Sequence, residues 1–308
     1  MILLFLLIIL IIVLALIHRL AFYSSPRNRA ENPYDIPTSD QYQPRRDYMR
    51  SLIQSLDAVP CEHVTIQSFD NLTLHARFYP STRPNAPLKI CCHGYRGSAI
   101  RDFCGGAQLA IANGHNVLLI DQRANGASEG SVISFGVNER RDVLSWIRYG
   151  LSRLGPDTPI LLYGVSMGAS TVIMCAEMDL PANVVGVVAD CPFSSPPAII
   201  RKVAGDMRLP AAPLMPFAFL AARLFGRFDL SAASAVSAVK HSKIPILILH
   251  GEDDRFVPCD MSREIHAANP DLVTLETFPG AGHGLSYIVD PARYRCAVLG
   301  FEKTLNLL

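Results

Sequence analysis

Apolar and polar positions divide the chain into an apolar head, a polar spacer and a long alternating body. Met1 to Ile17 is an unbroken apolar run ending at His18-Arg19. Ser24 to Pro44, rich in Pro, Asn, Asp and Ser, reads as a linker, and Arg45 to Leu56 has the spacing of a short amphipathic helix. From Cys61 the period shortens to two. His63 to Phe69 and Leu72 to Tyr79 both alternate around an Asp70-Asn71 turn, which predicts an antiparallel hairpin. Beyond it, apolar strands are expected at Leu88–Cys92, Asn116–Ile120, Pro159–Tyr163, Val184–Val188, Ile244–Leu249 and Leu272–Phe278. Helical patterns separate them at Ile100–Asn113, Asn138–Leu154, Ala169–Met178 and Cys259–Ala268, and Pro291–Leu307 reads as a closing helix. This alternation predicts a mostly parallel sheet covered by helices on both faces, with functional residues at the strands' carboxyl ends.

As a helix, the apolar head would reach roughly 26 Å, near the lower limit for a bilayer core. A cleavable signal peptide is the rival reading. It is weakened because no basic region precedes the run and no clear small-x-small cleavage site follows it. An uncleaved single-pass anchor over residues 1–20 is therefore expected, with a juxtamembrane linker and short helix over 21–60 and the folded body over 61–308. Arg19, Arg27 and Arg29 follow the span, so the positive-inside rule places the body in the cytoplasm.

Composition narrows the class. The 308 residues suffice for one large core carrying an insertion; 50% are apolar and 18% charged, and the formal net charge is +1. That balance gives no electrostatic reason to expect a nucleic-acid partner. The 8 cysteines show neither a disulfide framework nor metal-ligand spacing, which favours a reducing compartment. Cys91 and Cys92 read as two small core residues facing opposite sides of one strand.

The candidate chemistry lies at the strand ends. Gly164-Val165-Ser166-Met167-Gly168 joins a strand to a helix in the pattern of a nucleophile elbow. Small residues two positions either side let the strand and helix close around a strained serine, whose hydroxyl projects above the sheet. His93-Gly94-Tyr95-Arg96-Gly97 follows an earlier strand, where a main-chain N–H for an oxyanion hole would sit. The Tyr95 amide is the candidate donor, with the Met167 amide as the second. The loop lacks the Gly-Lys-Ser/Thr ending of a phosphate-cradling loop. Asp121 and Arg123 read as an ion pair bracing loops beside the site. The acidic turn Glu252-Asp253-Asp254 and the glycine-flanked His283 complete the chain order serine, acid, histidine of a catalytic triad.

Taken together, these motifs resemble those of the α/β-hydrolases. More narrowly, the chain resembles membrane-anchored bacterial hydrolases close to the serine aminopeptidase/monoacylglycerol-lipase-like group, from about Val64 to the C-terminus. In that family the acid is the last residue of His-Gly-x-x-Asp, so the resemblance selects Asp254 within His250-Gly251-Glu252-Asp253-Asp254. Some relatives take the acid from the position of Asp190, read here as structural. Similar hydrolases carry a cap between the strands that here end at Val188 and begin at Ile244, so residues 193–243 are expected to form a helical cap. Its segment Pro213–Phe225 is apolar almost all round, and Met215, Phe217, Phe219 and Phe225 would line an acyl pocket, meet lipid or simply pack on the core.

The expectation is a serine hydrolase. Ser166 would attack an acyl carbonyl, His283 would move the proton and Asp254 would orient His283, with no metal or organic cofactor implied. A small-molecule ester is the first substrate class, with peptidase or acyltransferase chemistry on the same residues second. A membrane-tethered scaffold on a degenerate hydrolase fold is the non-enzyme alternative.

Overall fold

In a computed structural model of the chain, residues 1–25 and 35–308 are described. The expected linker falls partly on residues 26–34, including Arg27 and Arg29, which lie outside the described residues.

The apolar head forms α1 (Ile2–Ile17), which continues as a π-helical turn at His18–Phe22. Together they make a 21-residue helix, Ile2–Phe22, long and apolar enough to cross a membrane. The amphipathic segment forms α2 (Arg46–Asp57), burying Met49, Ile53 and Leu56 on one face. The hairpin is β1 (Glu62–Gln67) and β2 (Thr73–Tyr79), paired antiparallel. Then follow β3 (Leu88–Cys92), α3 (Ala99–Asp102), α4 (Gly106–Ala112) and β4 (Asn116–Ile120). Next come α5 (Glu139–Leu154), β5 (Ile160–Val165), α6 (Met167–Cys175) and β6 (Val184–Asp190). Three helices, α7 (Pro196–Asp206), α8 (Ala211–Leu224) and α9 (Ala235–His241), separate β6 from β7 (Ile246–Gly251). The chain ends with α10 (Cys259–Ala268), β8 (Val273–Phe278), α11 (Ser286–Val289) and α12 (Pro291–Thr304). Local chemistry sets several starts. Ser195, Ser234 and Asp290 each accept a first-turn amide from their side chains, and prolines occupy the first helical positions after Ser195 and Asp290.

The strands form one 8-stranded sheet in the order β1-β2-β4-β3-β5-β6-β7-β8, parallel from β4 through β8. Because successive side chains point to opposite faces, each central strand divides its residues between two cores. Cys91, Leu161, Tyr163 and Leu249 pack toward α2, α4 and α12, whereas Cys92, Leu162, Ile248 and Ala189 pack toward α5, α6, α9 and α10. The expected split of Cys91 from Cys92 follows this alternation. α9 belongs to the second face through Ala235, Ala238 and Val239, so within the insertion only α7 and α8 stand away from the sheet. A third cluster joins α8 to the end of α1 through Met215, Ala221, Ala222, Leu14 and Phe22.

Two expectations need correction. The helical pattern at Ile100–Asn113 is broken into α3 and α4. Gly105 sits at the break, and a Cβ there would lie 2.2 Å from the Tyr287 ring. The expected Asp121–Arg123 ion pair is absent among the described contacts. Arg123 instead bonds Asp142 through Nε at 2.6 Å and Asp70 through Nη1 at 3.0 Å. Asp121 accepts the Ala127 amide at 3.0 Å across a tight turn, closing the turn rather than pairing with the arginine. Both residues lie beyond the end of β4, in the turn that follows it, where folding brings Asp142 and Asp70 to the guanidinium.

Candidate active site

The elbow is built by close backbone approach. A Cβ on Gly168 would lie 1.9 Å from the Cys92 carbonyl oxygen, and one on Gly164 would lie 2.2 Å from the Gly168 carbonyl oxygen. Only glycine permits β3, β5 and α6 to meet this way. Ser166 between them holds φ 56° and ψ −117°, a conformation that costs an ordinary residue on the order of 1–3 kcal/mol. Its amide donates to the Asp190 carbonyl at 2.8 Å, which ties the strained turn to β6.

Around it two residues distant in sequence converge. His283 Nε2 lies 2.9 Å from Ser166 Oγ, and His283 Nδ1 lies 2.6 Å from Asp254 Oδ2. With Nδ1 protonated, the ring donates to Asp254 and presents a lone pair to the serine hydroxyl. The other Asp254 oxygen accepts the amides of Phe256 and Val257, each at 2.8 Å. His250 Nε2 stands 3.3 Å from Asp254 Oδ2 while bonded to the Val257 carbonyl at 2.9 Å. Burial alone would push the Asp254 carboxyl up. The neighbouring His283 charge, with hydrogen bonds from His250 and His283, outweighs burial and holds it well below the usual carboxylate range. Within the acidic turn, Asp253 points away from this arrangement: its side chain is exposed and its carbonyl receives Gln41 Nε2 at 2.6 Å.

Met167 follows Ser166 directly and Tyr95 borders the same cavity as Ser166, and among the described turn and loop hydrogen bonds neither amide is a donor. The loop carrying Tyr95 is fixed from below. His93 Nδ1 donates to the Gly94 carbonyl at 2.7 Å, and His93 Nε2 accepts the Gln122 amide at 3.1 Å. Asp102 accepts the Gly94 amide at 2.8 Å. Burial works against the Asp102 charge, but the Arg101 guanidinium beside it keeps the carboxyl below its ordinary value. The side chains of the same loop reach the end of the apolar helix. Tyr95 Oη donates to the Ala21 carbonyl at 2.9 Å, and Arg96 Nη2 donates to Leu20 at 3.1 Å and Tyr23 at 2.9 Å.

A cavity of about 300 Å³ opens on Ser166 and His283. Its wall is formed by Tyr42, Arg101, Phe103, Tyr163, Tyr287 and Tyr294, with Asp190 among the lining residues. Asp190 is buried, and burial raises its carboxyl to about 6. It accepts the Ser286 hydroxyl at 3.3 Å, while His283 bonds Asp254 instead. The α8 residues expected near an acyl pocket stand elsewhere. Met215 is buried in the cluster shared with α1, the Phe225 ring lies 5.8 Å from His18, and Phe217 is exposed. Neither these nor Phe219 line the cavity. The buried apolar side of α8 is occupied by α1.

Sequence patterns missed the wall supplied by the spacer. Pro37, Ser39, Gln41 and Tyr42 all border the cavity, and Tyr42 Oη donates to the His283 carbonyl at 2.7 Å. A polar, proline-containing stretch gives no local signal of such long-range partners. Cys191 was also overlooked. Its buried sulfur lies within 4.8 Å of the Asp254 and His283 ligand atoms, and burial raises the thiol well above its ordinary range.

A family profile described as alpha/beta hydrolase family matches residues 90–295, from β3 into α12. The chain is 26% identical over 228 residues to the uncharacterized protein YqkD of Bacillus subtilis, covering 74% of each. It is 27% identical over 199 residues to the lysophosphatidylserine lipase ABHD12 of Danio rerio, covering 60% of this chain and 48% of that protein. Its fold is similar to the Pyrococcus furiosus esterase Pf2001, with a TM-score of 0.63 at 22% identity over 82% of this chain and 94% of that one. The profile takes in the elbow, the acidic turn and the histidine loop on a sheet of this strand order, and the chain belongs to the alpha/beta hydrolase family.

Proposed function

We propose that the protein is a membrane-anchored serine hydrolase that cleaves carboxylic esters. The observation that carries this reading is His283, whose two ring nitrogens engage Ser166 Oγ at 2.9 Å and Asp254 at 2.6 Å. Ser166 Oγ attacks the acyl carbonyl while His283 Nε2 takes its proton, and the charge forming on the carbonyl oxygen meets the amides of Tyr95 and Met167. Asp254 holds the ring in the required tautomer and stabilises the imidazolium. As the carbon–oxygen bond to the leaving group breaks, His283 returns the proton to the departing alcohol. Water then repeats the sequence on the acyl-enzyme, releasing the acid and restoring the Ser166 hydroxyl.

The ester class is supported by the esterase and lipase among the similar proteins and by a cavity that carries seven Phe and Tyr side chains on its walls. Peptidase or acyltransferase chemistry would use the same side chains. The helix Ile2–Phe22 serves as the anchor, and Arg19 at its end favours a cytoplasmic catalytic domain. The test is turnover by the full chain in detergent micelles of p-nitrophenyl esters of graded acyl length, set against aminoacyl amides. Ester turnover exceeding amide turnover is expected; amide turnover without ester turnover would reverse the assignment.

A further inference from the structure

The apolar helix is just long enough to cross a bilayer, yet one side of its second half already packs against the protein. At about 1.5 Å per residue its 21 residues reach roughly 32 Å, against a hydrocarbon core of about 30 Å. Leu10, Leu14, Ile17 and Ala21, four positions with helical spacing, turn toward the cluster that contains Met215, Ala221 and Ala222 of α8. The distance from Leu10 to Ala21 along the axis is about 17 Å. Whatever packs on that stretch lies at hydrocarbon depth when the helix spans.

The outward side of α8 has the chemistry for that depth. Phe217, Leu220 and Leu224 follow one another at spacings of three and four residues and are 38%, 37% and 58% exposed. Pro213 and Pro216 extend the same exposed side. The helix carries no charge before Arg223 in its last turn. Arg223, and Arg227 just beyond it, are placed to reach back to the headgroups. In the turn before α8, Met207 and Leu209 are 61% and 44% exposed on either side of Arg208, which is exposed as well. An exposed apolar surface of this kind, continuous with a spanning helix, fits lipid chains and does not fit water.

We propose that α8 is embedded in the bilayer leaflet nearest the catalytic domain, alongside the second half of α1. The domain is thereby seated in the membrane at two places rather than tethered above it. The inference rests on the anchor reading of Ile2–Phe22. It goes beyond that reading by fixing the depth and tilt of the whole domain. The loop of Tyr95 and Arg96, bonded to the carbonyls of Leu20, Ala21 and Tyr23, then lies at the membrane interface.

The test uses the full chain, with Cys61 and Cys296 replaced by serine, reconstituted in phosphatidylcholine vesicles. A nitroxide is attached to a cysteine introduced as Leu220→Cys or Leu224→Cys, with Ile8→Cys on α1 and Glu264→Cys on α10 as references. Hydrolysis of a water-soluble ester confirms that each variant is folded, and two α8 positions guard against loss of one. Collisional relaxation is measured with oxygen, which concentrates in lipid, and with a nickel chelate, which stays in water. Labels at 220 and 224 should match Ile8→Cys, with an oxygen-to-nickel ratio several-fold above Glu264→Cys. If they match Glu264→Cys while Ile8→Cys is shielded, α8 lies in water and the inference is overturned with the anchor intact. If Ile8→Cys is itself open to nickel, the anchor reading fails and the inference fails with it.

Discussion

Tyr42 Oη donates a 2.7 Å hydrogen bond to the backbone carbonyl of His283 across 241 positions of sequence. The bond joins the segment that follows the apolar helix to the loop that presents the imidazole. Gln41, its neighbour, bonds the Asp253 carbonyl at 2.6 Å, and Arg101 Nη1 bonds the Asp35 carbonyl at 3.2 Å. The segment therefore clasps the acidic turn, the histidine loop and the cavity wall together.

Tyr42→Phe keeps the ring against the cavity and removes only the hydrogen bond. A net hydrogen bond of about 1 kcal/mol predicts roughly a fivefold fall in kcat through looser placement of His283. KM for a short-chain ester should stay within twofold. Steady-state kinetics on the purified full chain check this; a changed KM with unchanged kcat would mean that Tyr42 acts only as cavity wall.

The two carboxylates of the acidic turn should separate cleanly. Asp254→Asn removes the acceptor that holds Nδ1 protonated and should lower kcat by about 10⁴, as loss of the correct tautomer does in other triads. Asp253→Asn changes an exposed side chain and should leave kcat within about twofold. Equal effects from the two substitutions would contradict the geometry.

Asp190 supplies a pH signature. Its carboxyl is raised to about 6 by burial, above the ordinary value of about 3.9 for an unfolded chain. The native state therefore keeps the proton longer. Stability from this group is full below about pH 4, is lost as pH rises to about 6, and is flat above. The loss is on the order of 3 kcal/mol. Asp254, held low, acts in the opposite sense and only below about pH 4. Urea unfolding at pH 4.5 and 7.5 should show Asp190→Asn gaining stability relative to wild type at the higher pH. A difference that does not move with pH would refute the assignment.

Much of this was legible in the sequence. Each buried parallel strand announced itself as an apolar run, because both its faces meet helices, and the elbow glycines marked where three backbones touch. Ser166, Asp254 and His283 stood out as candidates because each lies in the turn or loop that follows a strand, and that is where such a sheet exposes side chains. What stayed hidden depends on distant partners. Tyr42 sits in a stretch whose composition suits a linker, yet its bond is to His283. Arg123 was matched with Asp121 by proximity along the chain, while folding brought Asp142 and Asp70 to it. The apolarity of α8 was legible but its occupant was not, since periodicity cannot tell a substrate cavity from the side of another helix.

Glycines sharpen the contrast between close approach and open space. Gly168→Ala would drive a Cβ into the Cys92 carbonyl and should cost more than about 3 kcal/mol or prevent folding. Gly205→Ala, in α7 with nothing within 4 Å of the added Cβ, should stabilise by about 0.5–1 kcal/mol. Urea denaturation of the two variants beside wild type measures both, and similar effects would contradict the packing described.

The proposed reaction requires Ser166 as its nucleophile, and a fluorophosphonate tests that atom directly. Attack by the serine oxygen displaces fluoride and leaves a stable phosphonyl ester. Intact-mass and peptide mass spectrometry of the full chain should show one adduct per molecule, on the peptide containing Ser166, and none on Ser166→Ala. A well-folded wild type that takes no adduct, or an adduct that survives in Ser166→Ala, would contradict it.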